Sequence, residues 1–202
     1  HNQNPEWTTL GESETLLWGS PTITEKIAGL TLTLSLRSFF QVNPTQTETL
    51  WAKIVDFLDP QKTDIIGDLY CGTGSLSLYL AQRCQQVIGV ESHTEAIKDA
   101  QVNAETNDIQ NVTFIEGDVE DTLIDTCHSI VMDPPRKGLG QKGLDMLLKL
   151  NPQKLVYVSC SPESLATDLA QLTQVYHIEK MHLVDLFPQT YHVETVVLLH
   201  KK

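Results

Sequence analysis

The chain of 202 residues carries a formal net charge of −12 at pH 7, with 41% hydrophobic and 20% charged residues. This composition is typical of a soluble globular protein, and no apolar run approaches the roughly 20 residues of a membrane span, which excludes a membrane protein. The length allows one complete α/β domain with a short appendage, but it is too short for two full domains.

Residues 1–21 are polar and lack a usable hydrophobic period, so we expect a linker or the remnant of a preceding domain. The chain opens with His1, and no basic-then-apolar leader follows it. We therefore expect an excised fragment of a longer cytoplasmic protein rather than a secreted one.

Residues 22–60 are predicted to form a β-hairpin and a helix that lead into the main domain. Two apolar runs, Ile23–Ile27 and Leu30–Leu36, flank a short turn, and the second run alternates strictly between leucine and a hydroxyl residue. Asn43 is a predicted N-cap for a helix that begins at Pro44 and ends at Leu58.

From residue 61 to residue 202, strand patterns alternate with helix patterns, which indicates a mostly parallel, doubly wound α/β sheet. The last two strand patterns are separated only by Leu186–Tyr191, which is too short for a crossover helix, so the last strand is predicted to be antiparallel. The predicted strands are Ile65–Tyr70, Gln86–Glu91, Val112–Ile115, Ser129–Asp133, Lys154–Cys160, His177–Asp185 and His192–His200, and helices are predicted near Leu76–Arg83, Ala96–Ala104 and Pro162–Leu172.

The first strand of this domain ends in a glycine-containing turn that opens a helix. Gly72 and Gly74 allow the backbone to turn tightly and to approach a ligand closely. Ser77 stands where a dinucleotide fingerprint requires its third glycine, which argues against the pyrophosphate of NAD or FAD. The remaining ligand class has an adenosine-like half and no phosphate, and S-adenosylmethionine is its natural candidate. The alternative is an ordinary strand-to-helix connection.

Acidic residues follow the next two strands, at the edge where a parallel sheet binds its ligands. Glu91 ends the second strand and is placed to accept hydrogen bonds from ribose hydroxyls. Asp118 follows the third strand, where it could accept a hydrogen bond from an adenine amino group. Either carboxylate alone could be a solvated loop residue, but their positions at successive strand ends favour a nucleoside site.

The fourth strand ends in Asp133-Pro134-Pro135-Arg136. Two prolines fix a rigid turn that presents Asp133 and Arg136 at the ligand edge. Amino-methylating enzymes use a similar turn followed by an aromatic residue that stacks on the target base. Arg136 in that position disfavours attack by an exocyclic amine and leaves another type of acceptor.

The chain has four cysteines, and no two of them have the spacing of a metal site, so we expect neither disulfides nor a bound metal. Cys160 stands at a strand end and at a predicted helix start, where a thiolate is stabilised and accessible. Glu194 begins the antiparallel last strand at the same edge, so the two side chains can meet in one pocket. A thiol nucleophile beside a carboxylate base suits the methylation of a carbon that must first be made nucleophilic, such as C5 of uracil.

These motifs together closely resemble the S-adenosylmethionine-dependent RNA uracil-5-methyltransferases, and the 23S ribosomal RNA enzymes more than the transfer RNA enzyme. The resemblance runs from about residue 22 to the C-terminus and implies a Rossmann-like class I methyltransferase fold. The segments that carry it are Ser38–Asn43, Asp68–Gly74, Asp133–Gly138, Tyr157–Pro162 and Phe187–Glu194.

The resemblance also implies a role for each site residue. Cys160 would be the nucleophile and Glu194 the base, and Arg136 and Lys137 would contact the substrate RNA. The implied partner is RNA, 23S ribosomal RNA first, bound by a cytoplasmic monomer without a metal. The residues implied to line the site for S-adenosyl-L-methionine are Gln41, Tyr70, Gly72, Gly74, Ser75, Glu91, Asp118 and Asp133, of which Asp133 could instead serve the target base.

Charge is unevenly distributed along the chain. Residues 91–125 hold ten acidic side chains against one lysine, whereas residues 136–154 hold five basic side chains against one acidic. The overall negative charge is unfavourable for binding RNA, because phosphate neutralisation requires lysine and arginine. Relatives carry N-terminal RNA-binding parts, some with a TRAM domain or an iron–sulfur cluster, and none is recognisable in this sequence.

Several alternative functions stay open at this point. One is a transfer RNA uracil-5-methyltransferase, and another is a cofactor-binding domain that is inactive without an RNA-binding region. An NAD-dependent dehydrogenase would need the third glycine and has no use for Cys160 and Glu194. A methyltransferase acting on an amino group would explain the Asp-Pro-Pro turn but would leave the cysteine without a role.

Overall fold

The computed structural model describes residues 14–122, 124 and 127–202, so most of the predicted linker lies outside the described residues. The strands are β1 Thr22–Ile27, β2 Leu30–Ser35, β3 Ile65–Leu69, β4 Gln86–Glu91, β5 Val112–Glu116, β6 Ser129–Met132, β7 Lys154–Ser159, β8 Tyr176–Val184 and β9 Glu194–Lys201. The helices are α1 Pro44–Leu58, α2 Ser75–Ala81, α3 Thr94–Thr106, α4 Gly140–Leu150 and α5 Pro162–Leu172.

Seven strands form one sheet in the order β5-β4-β3-β6-β7-β9-β8. Strands β3 to β7 run parallel, while β9 pairs antiparallel with both β7 and β8. Strands β1 and β2 form a separate antiparallel hairpin. The predicted doubly wound sheet with an antiparallel last strand and a preceding hairpin is therefore confirmed.

Apolar residues on both faces of the sheet account for its two helical layers. Helices α1, α2 and α3 cover one face together with the hairpin, and α4 and α5 cover the other. The predicted start of α1 is confirmed, because the Asn43 side chain accepts a hydrogen bond from the backbone N–H of Gln46. No helix in the described part of the chain combines the length and the apolar character needed to cross a membrane.

Helix α4 was not predicted from the sequence. Gly140 and Gly143 lower its helix propensity. From its sequence the segment is described only as locally basic. Its buried residues Leu144 and Leu147 pack in the core that α5 shares. Tertiary burial therefore stabilises a helix that local propensity does not indicate.

The hairpin is attached to the main sheet by a row of polar side chains on α3. Residues four apart on a helix are spaced about 6.0 Å along its axis, and alternate residues of a strand are spaced roughly 6.6 to 6.8 Å. Because the two spacings are close, helix side chains four residues apart can pair with every second residue of β2. Asn103 accepts from the Thr33 N–H (2.6 Å) and donates to the Thr33 carbonyl (3.2 Å). The flanking pairs are Ser35 with Asp99 and Thr31 with Asn107.

Candidate active site

The turn after β3 adopts backbone conformations that require glycine. Gly72 has φ +54° and open space where a Cβ would stand, so a ligand can approach the backbone there. Gly74 has φ +73°, and a Cβ would lie 2.5 Å from Cζ of Phe114 and 2.9 Å from Cβ of Ala100. Gly72 therefore serves the open side of the turn, and Gly74 allows close packing of the turn against β5 and α3.

Glu91 holds this turn against the end of β4. One carboxylate oxygen accepts the backbone N–H of Gly72 at 3.1 Å, and the other accepts that of His93 at 2.9 Å. The oxygen that accepts from His93 also accepts from the Ser92 hydroxyl (3.4 Å), but the other oxygen keeps a second lone pair, so Glu91 can still accept a hydrogen bond from a ligand hydroxyl. Glu91 therefore shapes the turn, and it also lines a cavity at the carboxyl ends of the parallel strands.

A cavity of about 710 Å³ lies at the carboxyl ends of the parallel strands. It brings together ten of the twelve site residues predicted from the sequence: Gln41, Tyr70, Gly72, Glu91, Asp118, Asp133, Arg136, Lys137, Cys160 and Glu194. Ser75 lines a smaller adjoining cavity of about 80 Å³, together with Gln41 and Tyr70. Gly74 lines neither of these two cavities.

Cys160 and Glu194 meet because β7 and β9 pair antiparallel. Ser159 is opposite Thr195, so the residue after β7 and the first residue of β9 are neighbours at the cavity. Glu194 is only 3% exposed, and its Oε2 is buried without a hydrogen-bond partner in the described residues. Burial raises the pKa of Glu194 to about 7, although the Arg136 charge opposes this shift.

The site does not stabilise the Cys160 thiolate in the way that its position at a helix start predicts. Burial and, next, the negative charge of Glu194 raise the pKa of Cys160, while a hydrogen bond from Arg136 lowers it by less. The cysteine is therefore a thiol in the free protein at neutral pH. A nucleophilic role, as predicted from the sequence, would require a nearby proton acceptor to remove the thiol proton.

Two further buried carboxyl groups lie beside this pair. The pKa of Asp133 is raised to about 8 by burial, with the charges of Glu194 and Asp68 adding to the shift. Burial also raises the pKa of Asp68 to about 7, against a hydrogen bond from the Ser77 hydroxyl (2.5 Å). At neutral pH Asp133 is mostly protonated, so it can donate a hydrogen bond to an oxygen of a ligand.

The turn that presents Arg136 is held from both sides. The guanidinium lies 2.5 and 3.0 Å from the two ring nitrogens of His192. On the other side, Asp168 is buried and accepts hydrogen bonds from the Leu139 N–H (2.9 Å) and the Tyr157 hydroxyl (2.6 Å). These contacts fix the orientation of Arg136 toward the cavity.

Sequence reasoning did not assign a role in the site to four residues that the structure places there, and it predicted one of them, Phe39, as a core residue although its side chain is exposed. Asp68 lines the smaller cavity, and Phe39, Phe187 and His192 line the larger one. All four residues lie within the segments that carry the family resemblance, which could have indicated their place in the site. Their contribution depends on distances that only the folded chain defines.

The cavity suits a ligand with one polar, nucleoside-like end. Gln41 Oε1 is buried and has no hydrogen-bond partner in the described residues, which leaves an acceptor free for a ligand donor. Glu91 and Asp118 supply further acceptors, and Gly72 leaves the backbone accessible. These residues fit an adenosine group with a cationic sulfur substituent better than they fit an anionic phosphate, because acceptors and carboxylates dominate.

The fold and this site together define a class I methyltransferase of the Rossmann-like type. A tRNA m1G37 methyltransferase from M. jannaschii shares the fold, with a TM-score of 0.71 at 13% identity, covering 90% of this chain and 57% of that one. At that identity the likeness shows the architecture alone.

The chain belongs to the tRNA (uracil-5-)-methyltransferase family, whose sequence profile matches residues 29–123 and 123–202. A protein of Enterococcus faecalis described as an uncharacterized RNA methyltransferase is 43% identical over 209 residues, covering 99% of this chain and 46% of that protein. A protein of Clostridium tetani with the same description is 41% identical over 207 residues, covering 98% and 45%. The chain thus spans about half the length of the curated relatives it matches.

A solved structure agrees with this assignment. The tRNA (uracil-54, C5)-methyltransferase of Pyrococcus abyssi, in complex with S-adenosyl-L-homocysteine, superposes with a TM-score of 0.85 at 32% identity. The match covers 98% of this chain and 49% of the P. abyssi chain.

Proposed function

We propose that this chain is the catalytic domain of an enzyme that methylates C5 of a uridine in RNA, with S-adenosyl-L-methionine as cofactor. The observation that carries this proposal is the meeting of Cys160 and Glu194 in one cavity with the acceptor residues Glu91 and Asp118. A methyltransferase acting on an amino group has no use for a cysteine beside a buried carboxylate at that position. The family membership and the S-adenosyl-L-homocysteine complex of the P. abyssi relative support the cofactor.

Residues before α1, at the glycine turn and after β4 and β5 would hold the cofactor: Gln41, Tyr70, Gly72, Ser75, Glu91 and Asp118. When bound, the cofactor supplies an electrophilic methyl group. Gly74 contributes through the shape of the turn, since it faces Phe114 and Ala100. The backbone opening at Gly72 leaves room for the ligand to lie against the turn.

Cys160 would begin the reaction by adding its sulfur to C6 of the uracil ring. The thiol proton must leave first, and Glu194 is the neighbouring carboxylate that can accept it and pass it to solvent, which returns Glu194 to its carboxylate form for the later step. Addition at C6 moves electron density to C5 and to the O4 oxygen. Protonated Asp133 can donate a hydrogen bond to that oxygen, which favours the addition product.

Once C5 carries the new methyl group, the ring must lose the hydrogen that C5 still holds. Glu194 in its carboxylate form takes this proton, and the electron pair of the broken C–H bond restores the C5–C6 double bond. The Cys160–C6 bond breaks at the same time, and the sulfur leaves as a thiolate. Glu194 then returns its proton to solvent or to Cys160, and the site is ready for the next uridine.

The substrate RNA is proposed to be 23S ribosomal RNA, methylated in the cytoplasm by a protein that acts as a monomer. The sequence motifs support this choice, since they resemble the ribosomal enzymes more than the transfer RNA enzyme. Transfer RNA is the second candidate, because the P. abyssi relative carries that substrate in its name. Arg136 and Lys137 at the cavity would contact the RNA backbone near the target uridine.

A 5-fluorouridine-substituted RNA tests the mechanism, because fluorine at C5 cannot be removed as a proton. With S-adenosyl-L-methionine present, the wild-type protein should form a denaturation-resistant RNA adduct that mass spectrometry maps to Cys160. Cys160→Ala should form none while keeping its cofactor affinity within a few-fold. Cys127→Ala, which changes a half-buried cysteine outside this cavity, is the matched control and should form the adduct normally.

Two outcomes would contradict this assignment. An adduct on another cysteine would remove Cys160 as nucleophile, and undiminished turnover by Cys160→Ala would exclude the covalent mechanism. Parallel reactions with ribosomal RNA and transfer RNA, followed by nucleoside analysis for 5-methyluridine, decide between the two substrates.

A further inference from the structure

The far end of the β8–β9 pair carries a cluster of metal-binding side chains that the methyltransferase site does not use. His177 of β8 lies directly opposite His200 of β9. The register between the two strands shifts between Ile178 and Lys180, and Glu179 is the extra residue of this bulge. Glu179 stands two residues after His177, and its carboxylate lies close to the ligand atoms of both histidines.

The ligand atoms of these three residues already lie close together. One carboxylate oxygen of Glu179 is 3.3 Å from Nε2 of His200, and the rings of His177 and His200 are 5.9 Å apart. One ligand atom from each residue lies within 4.8 Å of the others. Ligands that share a Zn²⁺ ion at about 2.0 to 2.2 Å are roughly 3 to 4 Å apart, so a small side-chain rotation closes the site.

Two of the three residues can make that rotation, and the third has a buried ring nitrogen that can bind a metal. His177 and Glu179 are exposed, so their rotamers can change at little cost. Nε2 of His200 is buried, and a carboxylate oxygen of Glu179 lies 3.3 Å from it. A neutral ring nitrogen and a carboxylate oxygen each offer a lone pair, so a metal ion held between them would satisfy both.

The neighbouring lysines do not block this position. Lys180 is 3.9 Å from the Glu179 carboxylate, a surface ion pair of the kind that contributes little stability. Its ammonium also lies 5.8 Å from the centre of the Phe57 ring, where it can stay when Glu179 turns to a metal. Lys154 is opposite His200 on β7, but its ammonium donates to the Leu58 carbonyl at 2.7 Å.

We propose that His177, Glu179 and His200 form a binding site for one divalent transition-metal ion, with Zn²⁺ as the representative ion. Two imidazoles and one carboxylate suit Zn²⁺, Co²⁺, Ni²⁺ or Cu²⁺, whereas Mg²⁺ and Ca²⁺ prefer sites made of oxygen ligands. Three protein ligands leave at least one coordination position for water. The bound ion would join the edge strand β8 to its neighbour β9.

The site is separate from the methyltransferase cavity. Glu194 and His200 stand six residues apart on β9, which corresponds to about 20 Å along an extended strand. Metal binding therefore does not depend on the proposed function, and it can be measured without RNA or cofactor.

Isothermal titration of the untagged protein with ZnCl₂ tests the site directly. We expect one ion per chain, together with a rise in the thermal unfolding temperature. Removing a residue that only hydrogen-bonds to a metal ligand lowers metal affinity by roughly 10- to 100-fold. His177→Ala removes a ligand itself, so it should lower the Zn²⁺ affinity by more than this. Glu179→Gln should also weaken binding, and both changes are on exposed positions that leave the core intact.

His182→Ala is the matched control, because His182 is an exposed histidine on the same strand outside the cluster. It should leave Zn²⁺ affinity unchanged. Equal losses in His177→Ala and His182→Ala, or no change in His177→Ala, would overturn the proposal. A titration with Co²⁺ separates this site from the cysteines, since a thiolate-to-cobalt absorption band on the bound ion would place the metal at a cysteine instead.

Discussion

At the scale of single residues, the site is governed by the cost of burying carboxyl groups. Glu194 and Asp133 share the cavity, and burial raises the pKa of each toward or above neutrality. Their charges repel each other, so the pair titrates in coupled steps rather than as two independent groups. In the proposed mechanism, proton abstraction needs ionised Glu194 and thiolate formation needs a higher pH still, so we expect the methylation rate to increase as the pH rises through about 7.

Glu194→Gln tests the energetic cost of this arrangement. The ordinary pKa of a glutamate is 4.5, and folding raises that of Glu194 to about 7, so its ionisation destabilises the folded state increasingly between these two values. The variant should therefore be more stable than wild type by about 1–3 kcal/mol near pH 8, with the difference vanishing near pH 4.

Urea denaturation at both pH values measures this difference, and a methylation assay should show that the variant has lost turnover. Glu105→Gln, on the exposed side of α3, is the control and should show no pH-dependent gain in stability. If Glu194→Gln is less stable than wild type near pH 8, interactions in the folded state must stabilise the Glu194 carboxylate enough to offset its burial.

At the scale of secondary-structure elements, α3 links the hairpin to the glycine turn. Asn103 is completely buried and bonds to Thr33 of β2, and its amide also donates to the Thr73 carbonyl at 3.1 Å. Ser38, which precedes the segment with Phe39 and Gln41, donates to Asp99 of the same helix. One helix therefore positions two of the loops that border the cavity.

Asn103→Ala should destabilise the protein by about 2–5 kcal/mol, because the N–H of Thr33 and the carbonyls of Thr33 and Thr73 lose their shared partner. It should also weaken cofactor binding, since Thr73 belongs to the glycine turn. Chemical denaturation and calorimetry measure the two effects. Gln101→Ala on the exposed face of α3 should change neither, and an equally stable Asn103→Ala protein would contradict this role for the helix.

At the scale of the whole molecule, charge limits what this chain can do with RNA alone. The net charge is −12, and the basic side chains at the cavity are Arg136 and Lys137. Arg136 is already engaged with His192, so little positive surface surrounds the entrance. In the proposed function the chain supplies the reacting groups, while strong phosphate binding requires more positive charge than the surface at this cavity provides.

RNA binding by this chain should therefore be weak and only slightly dependent on salt. Two phosphate contacts on single-stranded RNA correspond to a slope of about −1.4 in log K against log salt, at about −0.7 per contact. Fluorescence anisotropy with a short uridine-containing RNA over a range of KCl concentrations measures this slope. Arg136→Gln should reduce its magnitude by about half, and a slope several times steeper would reveal a larger basic surface elsewhere on the chain.

The sequence by itself determined the strands, four of the five helices in the described residues, the antiparallel last strand and, through the family resemblance, most residues at the cavity. Local signals account for the secondary-structure elements, since hydrophobic period, proline and glycine act over a few residues, and parallel strands bring their carboxyl ends to one edge. Helix α4 escaped prediction because its stability comes from burial of Leu144 and Leu147 rather than from propensity.

Only the tertiary structure decided the energetics and the long-range contacts. It showed that burial and Glu194 outweigh Arg136 in setting the pKa of Cys160, that Gly74 faces Phe114 rather than the cavity, and that Asp168 holds the turn carrying Arg136. It also brought His177 and Glu179 to His200 across a strand pair. These properties depend on desolvation and on distances between residues far apart in the chain, and no local pattern encodes them.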